Sequence, residues 1–258
     1  MTQFKILDCT LRDGGYYTDW QFKPGLVKKL VKALDSNSVD IIEMGYKSPV
    51  KGGPYRKCND GFINSIIDFK ITSKLCFMID VKDYIKGNEI NFDLLDDIIN
   101  DKASSPFSVC RIAAKYEEIK YLPELCKYID KKGYSVFNIT ENICDILKLP
   151  FELKKMKHTT EFESGKWISK IIINLPNSYG SLHPNDVVKI FKGGGINGIH
   201  THDNLGLAFA NCLSSLDNGA KYVDGTLLGM GRGVGNVRTE QLLTYRQSIT
   251  PELLDCID

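Results

Sequence analysis

Residues 199–204 read Ile199-His200-Thr201-His202-Asp203-Asn204, which places two histidines one residue apart at the end of a short apolar run. A helix-like segment follows. Side chains at positions i and i+2 of a β-strand point to the same face, so the two imidazoles converge while Thr201 faces away. Converging neutral imidazoles form half of a divalent-metal site. A hydrogen-bonded histidine pair packed beside a sheet is the alternative.

The order of strand followed by helix recurs along the whole chain. Short β-rich apolar runs return at intervals of roughly 30 residues. Helical spacing follows them, as in Leu26, Val27, Leu30, Val31 and Leu34. We predict eight strands, near residues 4–10, 39–45, 74–81, 108–114, 134–140, 170–175, 198–202 and 222–228. Eight such alternations predict an α/β fold, a (β/α)₈ TIM barrel that forms one domain over residues 1–258. An open doubly wound sheet is the alternative and normally has fewer strands.

Composition excludes several classes of partner. The formal charge is +1 and no basic block occurs, so nothing favours binding to nucleic acid or to an anionic membrane. No stretch approaches the roughly 20 apolar residues of a membrane span, and the N-terminus lacks the apolar region of a signal peptide. The eight cysteines are dispersed without CxxC spacing, which is typical of reduced, buried thiols. We therefore expect a cytoplasmic protein.

In a (β/α)₈ barrel the chemistry lies at the carboxyl ends of the strands. The residues expected there are Arg12, Asp13, Glu43, Asn177, Ser178, His200, His202 and a glycine-rich run that ends at Asn236. The first, seventh and eighth strands are neighbours in a closed barrel. Asp13, both histidines and Asn236 can therefore surround one ion.

Three motifs, in order along the chain, resemble one known family. They are Thr10-Leu11-Arg12-Asp13-Gly14, His200-Thr201-His202-Asp203-Asn204-Leu205-Gly206, and Gly229-Met230-Gly231-Arg232-Gly233-Val234-Gly235-Asn236 with Thr239-Glu240. The chain resembles the DRE-TIM metallolyases, which include hydroxymethylglutaryl-CoA lyase, isopropylmalate and citramalate synthases and 4-hydroxy-2-oxovalerate aldolase. It is most similar in character to the 4-hydroxy-2-oxovalerate-aldolase-like proteins.

The resemblance implies a metal-dependent aldolase that cleaves a 4-hydroxy-2-oxo acid to pyruvate and an aldehyde, through an enolate held at the metal. The implied metal ligands are Asp13, His200, His202 and Asn236, with Mn²⁺ or Mg²⁺ as the ion and Co²⁺ or Zn²⁺ as alternatives. Arg12 falls on the arginine that stabilises the enolate and contacts the substrate. Ser178 and His200 also fall on substrate-contacting positions. Glu43, on the next strand, is a candidate partner that holds Arg12, and a surface-exposed or core-satisfied Glu is the alternative.

The chain also departs from the aldolases of this family. Those enzymes carry a histidine base shortly after the Arg-Asp pair, where this sequence has Tyr16 and Tyr17. Tyr16 is therefore a candidate for the proton transfer, although a phenol is a poor base at neutral pH. The chain ends 18 residues after Glu240, so we expect neither the C-terminal helical domain nor a channelling dehydrogenase partner. The expected partner is a small 2-oxo acid, and self-association through barrel helices stays open. A Claisen-type acyl transferase and a non-catalytic metal-binding barrel are the alternatives.

Overall fold

This computed structural model describes residues 4–141, 172–177, 180–193, 196–247, 249–250 and 253. Eight parallel strands close into a barrel within these residues, and each pairs with its neighbours in chain order. The strands are β1 (Lys5–Asp8), β2 (Ile41–Tyr46), β3 (Lys74–Asp80), β4 (Val109–Lys115), β5 (Ser135–Glu141), β6 (Ile172–Asn177), β7 (Gly198–Thr201) and β8 (Tyr222–Gly225). β8 pairs with β1, which closes the ring. The predicted (β/α)₈ barrel is confirmed.

Helices alternate with the strands in the described part of the chain. They are α1 (Thr10–Thr18), α2 (Pro24–Ser36), α3 (Pro54–Lys57), α4 (Asp60–Ile66), α5 (Phe92–Ile98), α6 (Leu122–Lys131), α7 (Pro184–Lys192), α8 (Ala208–Asp217) and α9 (Thr239–Arg246). A short hairpin, Ile85–Lys86 with Glu89–Ile90, follows β3. Helix α2 buries Val27, Leu30, Val31 and Leu34, as its spacing predicts. The expectation that Leu26 shares this face is wrong, because Leu26 is 57% exposed.

The barrel interior changes from apolar to charged along the strands. Ile41 on β2 and Val109 on β4 belong to an apolar cluster at the lower end. Because alternate residues of a strand face the same side, Glu43 and Arg111 follow them into the interior one layer higher. Both of these charged side chains are fully buried. The strands therefore present a charged layer just below the carboxyl-terminal mouth, where barrel enzymes carry their chemistry.

Three of the differences between predicted and observed boundaries at this mouth affect the placement of site residues. Helix α1 begins at Thr10, so Arg12 and Asp13 lie in its first turn rather than in a loop. β7 ends at Thr201, and His202 instead forms an isolated antiparallel bridge to Asn236. Strand β8 ends at Gly225, before a 3₁₀ turn over residues 227–229.

The buried carboxylate of Asp8 connects three chain segments beneath the mouth by hydrogen bonds. Asp8, at the end of β1, accepts hydrogen bonds from the Thr10 backbone nitrogen (3.0 Å) and from Thr239 Oγ1 (2.6 Å). Thr10 Oγ1 in turn accepts from the backbone nitrogen of Leu227 (2.8 Å). Burial raises the pKa of Asp8 to about 6 although the threonine hydrogen bonds oppose this shift. The starts of α1, α9 and the last barrel loop are thus tied to one point.

No helix among the described residues is long and apolar enough to cross a membrane. The six cysteines in the described part of the chain are all free and buried.

Candidate active site

The tightest group of potential metal ligands in the described chain lies where β1 and β7 end. Cys9, Asp13 and His200 each bring one ligand atom within 4.8 Å of the others, and all three residues are buried. His200 Nε2 lies 3.7 Å from Asp13 Oδ2. The structure therefore brings together a carboxylate and an imidazole that lie 187 positions apart in the chain.

Asn236 joins this group from the glycine-rich loop after β8. Its Nδ2 donates to Asp13 Oδ2 (2.7 Å) and to the Met230 carbonyl oxygen (3.0 Å). Its Oδ1 is buried and has no hydrogen-bond partner among the described residues. Gly235 has a φ of +97°, and a Cβ there would lie 1.9 Å from the Gly229 carbonyl oxygen. Only glycine allows this turn, which brings Asn236 against Asp13.

His202 lies at the edge of the group rather than at its centre. Its ring centroid is 5.3 Å from that of His200, so the two imidazoles are neighbours as the i, i+2 spacing predicts. Thr201, between them, faces away and contacts Cys212 Sγ at 3.3 Å. Burial, followed by the charge of His200, lowers the pKa of His202 to about 4. His202 is consequently neutral at physiological pH and has the lone pair that a metal ligand requires.

Cys9 is a member of the cluster that the sequence reasoning missed. Its Sγ donates to the Gly225 carbonyl oxygen (3.3 Å) and to Asp13 Oδ2 (3.6 Å). Burial, reinforced by the Asp13 charge, raises the pKa of the Cys9 thiol well above its usual range. A thiol that stays protonated is a hydrogen-bond donor and a poor metal ligand. Cys9 therefore orients Asp13 from below.

Arg12 lies beside the cluster and is held by two carboxylates. Its Nε donates to Glu43 Oε2 at 2.9 Å, and its Nη1 donates to Asp13 Oδ1. Burial alone would lower the pKa of Arg12, but Asp13 and Glu43 raise it well above its usual value. The remaining nitrogen, Nη2, is buried and has no hydrogen-bond partner among the described residues. A fixed guanidinium thus keeps one donor for a group that the described residues do not supply.

These residues fit a divalent ion. Burial opposes ionisation of Asp13, but Arg12, and after it the two histidines and the Asn236 hydrogen bond, outweigh burial and hold the pKa of Asp13 below its usual range. A carboxylate, imidazole nitrogens and an amide oxygen are a common donor set for divalent ions. The unpartnered Oδ1 of Asn236 is the clearest structural sign, because a buried polar atom without a partner is costly.

Two further buried charges lie below the candidate ligand group. Arg111 Nη1 donates to Glu43 Oε2 (3.1 Å), and its Nη2 donates to Asp224. Asp224, on β8, is the register partner of His200 on β7 and lies 3.2 Å from His200 Nδ1. Burial raises the pKa of Asp224, but Arg111 and the His200 hydrogen bond outweigh this effect and lower it. Neither Arg111 nor Asp224 was predicted from the sequence.

Tyr16 stands at the mouth of the barrel in a cluster of aromatic and cationic side chains. Its Oη lies 3.0 Å from Tyr46 Oη and accepts a hydrogen bond from Arg232 Nη2 at 2.6 Å. The Arg232 guanidinium also stacks on the Tyr16 ring, 4.1 Å from its centroid. Burial raises the pKa of Tyr46 well above its usual range, so this phenol carries a proton at neutral pH.

Two residues predicted for the loop after β6 cannot be placed in the site. Asn177 ends β6, where its backbone pairs in register with Thr201 of β7. Ser178 lies outside the described residues.

Comparisons with known proteins find the family that the three motifs resemble. A family model described as HMGL-like matches residues 154–248. The chain is 28% identical over 252 residues to the 4-hydroxy-2-oxovalerate aldolase of Carboxydothermus hydrogenoformans, spanning 93% of this chain and 70% of that protein. It is 26% identical to the oxaloacetate decarboxylase of Mycobacterium tuberculosis (94% and 69%). It is likewise 26% identical to the 2-isopropylmalate synthase of Bacillus velezensis, where the match spans 94% of this chain but 47% of the synthase.

Solved structures share the fold. The N-terminal domain of a Bacteroides vulgatus protein described as an aldolase superposes with a TM-score of 0.78 at 26% identity, covering 98% of this chain and 84% of that one. The HMG-CoA lyase of Bacillus subtilis superposes with a TM-score of 0.71 over 100% of this chain and 92% of that one. Its sequence identity is 14%, so this second likeness concerns the fold alone.

Proposed function

We propose, from the chain's similarity to the HMGL-like proteins and to 4-hydroxy-2-oxovalerate aldolases, that it is a divalent-metal-dependent carbon–carbon lyase of the DRE-TIM type. Its proposed substrate is a 4-hydroxy-2-oxo acid, which it cleaves to pyruvate and an aldehyde. The observation that carries this proposal is a buried guanidinium nitrogen, Arg12 Nη2, which has no hydrogen-bond partner among the described residues and lies beside the ligand group of Asp13 and His200.

The proposed ligands are Asp13, His200, His202 and Asn236. A divalent ion bound by them would supply Lewis acidity that polarises the 2-oxo carbonyl group of the substrate. Mn²⁺ and Mg²⁺ are the ions we favour, because carboxylate, amide and carbonyl oxygens are ligands that both ions accept.

Arg12 is proposed to stabilise the enolate. Cleavage breaks the bond between C3 and C4, and its electron pair moves into the C2–C3 bond and onto the carbonyl oxygen. A fixed donor at that oxygen is worth about 3–4 kcal/mol of barrier. Glu43 and Asp13 hold the guanidinium in place from two sides, so little reorganisation is needed when the charge develops.

Tyr16 is proposed to move the proton. The 4-hydroxyl group must lose a proton as the aldehyde forms, and C3 of the enolate must gain one to give pyruvate. As a phenolate held by the Arg232 guanidinium and by a hydrogen bond from Tyr46 Oη, Tyr16 Oη would accept the hydroxyl proton and then deliver that proton to C3 of the enolate. One phenolic oxygen would thus serve both transfers and end as the phenolate that it began as, without a histidine.

Decarboxylation of a 2-oxo diacid such as oxaloacetate is a second candidate. It needs the same enolate stabilisation, but no base has to take a hydroxyl proton. The phenols that follow Asp13, in place of an imidazole, favour this chemistry. Pyruvate is the product in both cases, so the co-product distinguishes them.

The test is pyruvate release by protein that has been stripped of metal and reloaded with Mn²⁺ or Mg²⁺. Substrates would be 4-hydroxy-2-oxo acids of increasing chain length, together with oxaloacetate. We expect pyruvate and an equal amount of aldehyde from at least one hydroxy acid, and none from the metal-free protein. Carbon dioxide release alone would favour the decarboxylase. Release of neither product by the metal-loaded protein would contradict the lyase and favour the non-catalytic barrel.

A further inference from the structure

A ring of six buried ionisable side chains inside the barrel includes two of the proposed metal ligands, and a 3.7 Å approach of His200 Nε2 to Asp13 Oδ2 closes it. It runs through six side chains, which we call the ionic ring: Asp13, Arg12, Glu43, Arg111, Asp224 and His200. We infer that Arg111 is the positioning residue of this ring. It fixes the two carboxylates that in turn orient Arg12 and His200. The inference rests on the proposed function, because it concerns the groups that would bind the metal and stabilise the enolate.

The geometry gives Arg111 this role because its two terminal nitrogens reach opposite halves of the site. Nη1 lies 3.1 Å from Glu43 Oε2, and the same oxygen accepts from Arg12 Nε at 2.9 Å. Nη2 contacts Asp224 Oδ2, and that oxygen also lies 3.2 Å from His200 Nδ1. Each carboxylate oxygen therefore serves Arg111 and one functional group. Within the described chain, this guanidinium links the enolate-stabilising half to the ligand half.

Asp224 determines which nitrogen of His200 faces the proposed metal. A carboxylate can only accept hydrogen bonds, so the proton of a neutral His200 ring lies on Nδ1. The lone pair is then on Nε2, which lies 3.7 Å from Asp13 Oδ2. A carboxylate behind a ligating imidazole fixes both the tautomer and the ring orientation. Arg111 holds the Asp224 carboxylate within hydrogen-bond distance of His200 Nδ1.

Burial makes these contacts obligatory. The side chains of Glu43, Arg111 and Asp224 have no solvent exposure, and Arg12 is 5% exposed. The ring contains three carboxylates and two guanidinium groups, so removing Arg111 leaves three buried carboxylates with a single arginine. Buried charges that lose their partner must move or admit water. Such movement displaces Glu43 and Asp224 first, and with them Arg12 and His200.

A second buried ion pair provides a matched control. Lys47 directly follows β2, and its Nζ donates to Asp60 Oδ1 at 2.6 Å with both side chains buried. The hydrogen-bond partners of Lys47 Nζ, Asp60 and the Ile98 carbonyl oxygen, are not members of the ionic ring. Lys47→Met therefore breaks a buried charge pair of the same barrel without touching the proposed site.

The experiment compares Arg111→Met, Arg111→Lys and Lys47→Met with the unmodified protein. Mn²⁺ affinity would be measured by electron paramagnetic resonance. The protonation pattern of His200 would be read from the ¹⁵N shifts of its imidazole in metal-free protein, assigned with the His200→Ala spectrum. We expect Arg111→Met to weaken Mn²⁺ binding by about 10- to 100-fold and to shift His200 away from the Nδ1–H form. Arg111→Lys should show a smaller loss, and Lys47→Met should bind Mn²⁺ within about twofold of the unmodified protein while unfolding more easily.

Unchanged Mn²⁺ affinity together with an unchanged His200 spectrum in Arg111→Met would overturn the inference. Equal losses in Arg111→Met and Lys47→Met would also overturn it, because the role would then be structural only. If Arg111→Met does not fold, as judged by circular dichroism, Arg111→Lys decides between the same outcomes. Failure of the unmodified protein to bind Mn²⁺ would contradict the proposed function instead, and the His200 spectra would still decide the role of Arg111.

Discussion

Arg12→Lys should retain the metal and lose about 100-fold or more in turnover, the effect of removing one fixed oxyanion donor. Lysine keeps the positive charge but lacks the planar fork that donates at once to Glu43, to Asp13 and to a third oxygen. Because the enolate oxygen gains its charge only as the reaction proceeds, the loss should appear in kcat more than in KM. Steady-state kinetics with the substrate found by pyruvate release measures both constants.

Arg246→Lys is the matched control for this variant. Arg246 also donates to a carboxylate, Asp40 Oδ2 at 2.8 Å, but at the opposite end of the barrel. Its conservative replacement should leave kcat and KM unchanged. Normal turnover by Arg12→Lys would contradict the enolate mechanism and favour the non-catalytic reading of the barrel.

The His200→Ala/His202→Ala double variant should lose its metal while retaining the fold. We expect one divalent ion per chain in the unmodified protein and occupancy near zero in the variant, because Asp13 and Asn236 alone supply too few donors. Elemental analysis after dialysis against limiting Mn²⁺ measures the occupancy, and circular dichroism checks the fold.

His183→Ala controls for the loss of an imidazole as such. His183 is exposed at the start of α7 and is not part of the ligand group. This variant should bind the same amount of metal as the unmodified protein. Undiminished metal in the double histidine variant would show that the ion binds elsewhere.

The fold was predictable because its signals are local. A short apolar run marks each strand, and apolar residues at helical spacing mark each helix. Eight alternations of the two patterns therefore identify the barrel without knowledge of any contact. The strand boundaries near the mouth were less accurate. Helix α1 begins at Thr10, two residues after Asp8, and β7 stops at Thr201. The Asp8 carboxylate that binds the Thr10 backbone nitrogen is itself held by Thr239, and His202 leaves the strand to bridge Asn236, so both details depend on contacts with a distant segment.

The candidate site was only partly predictable, for the same reason. Motif order grouped Asp13, His200 and Asn236, which the structure brings together. Arg111 and Asp224 were missed, since their pairing spans 113 positions and no local pattern reports it. The sequence nevertheless contains a sign of this pairing. Arg111 and Asp224 are each a charged residue within an otherwise apolar buried strand, and a buried charge requires a partner.

The most direct measurement is exchange of the methyl protons of pyruvate with deuterium, followed by ¹H NMR in D₂O. It examines enolate formation alone, so the identity of the aldehyde is immaterial. Mg²⁺ is the suitable ion because it is diamagnetic. We predict that the Mg²⁺-loaded protein accelerates the exchange well above Mg²⁺ in buffer, and that metal removal or Arg12→Lys abolishes most of this acceleration. Exchange no faster than the Mg²⁺ blank, in protein shown to carry one ion per chain, would contradict the account.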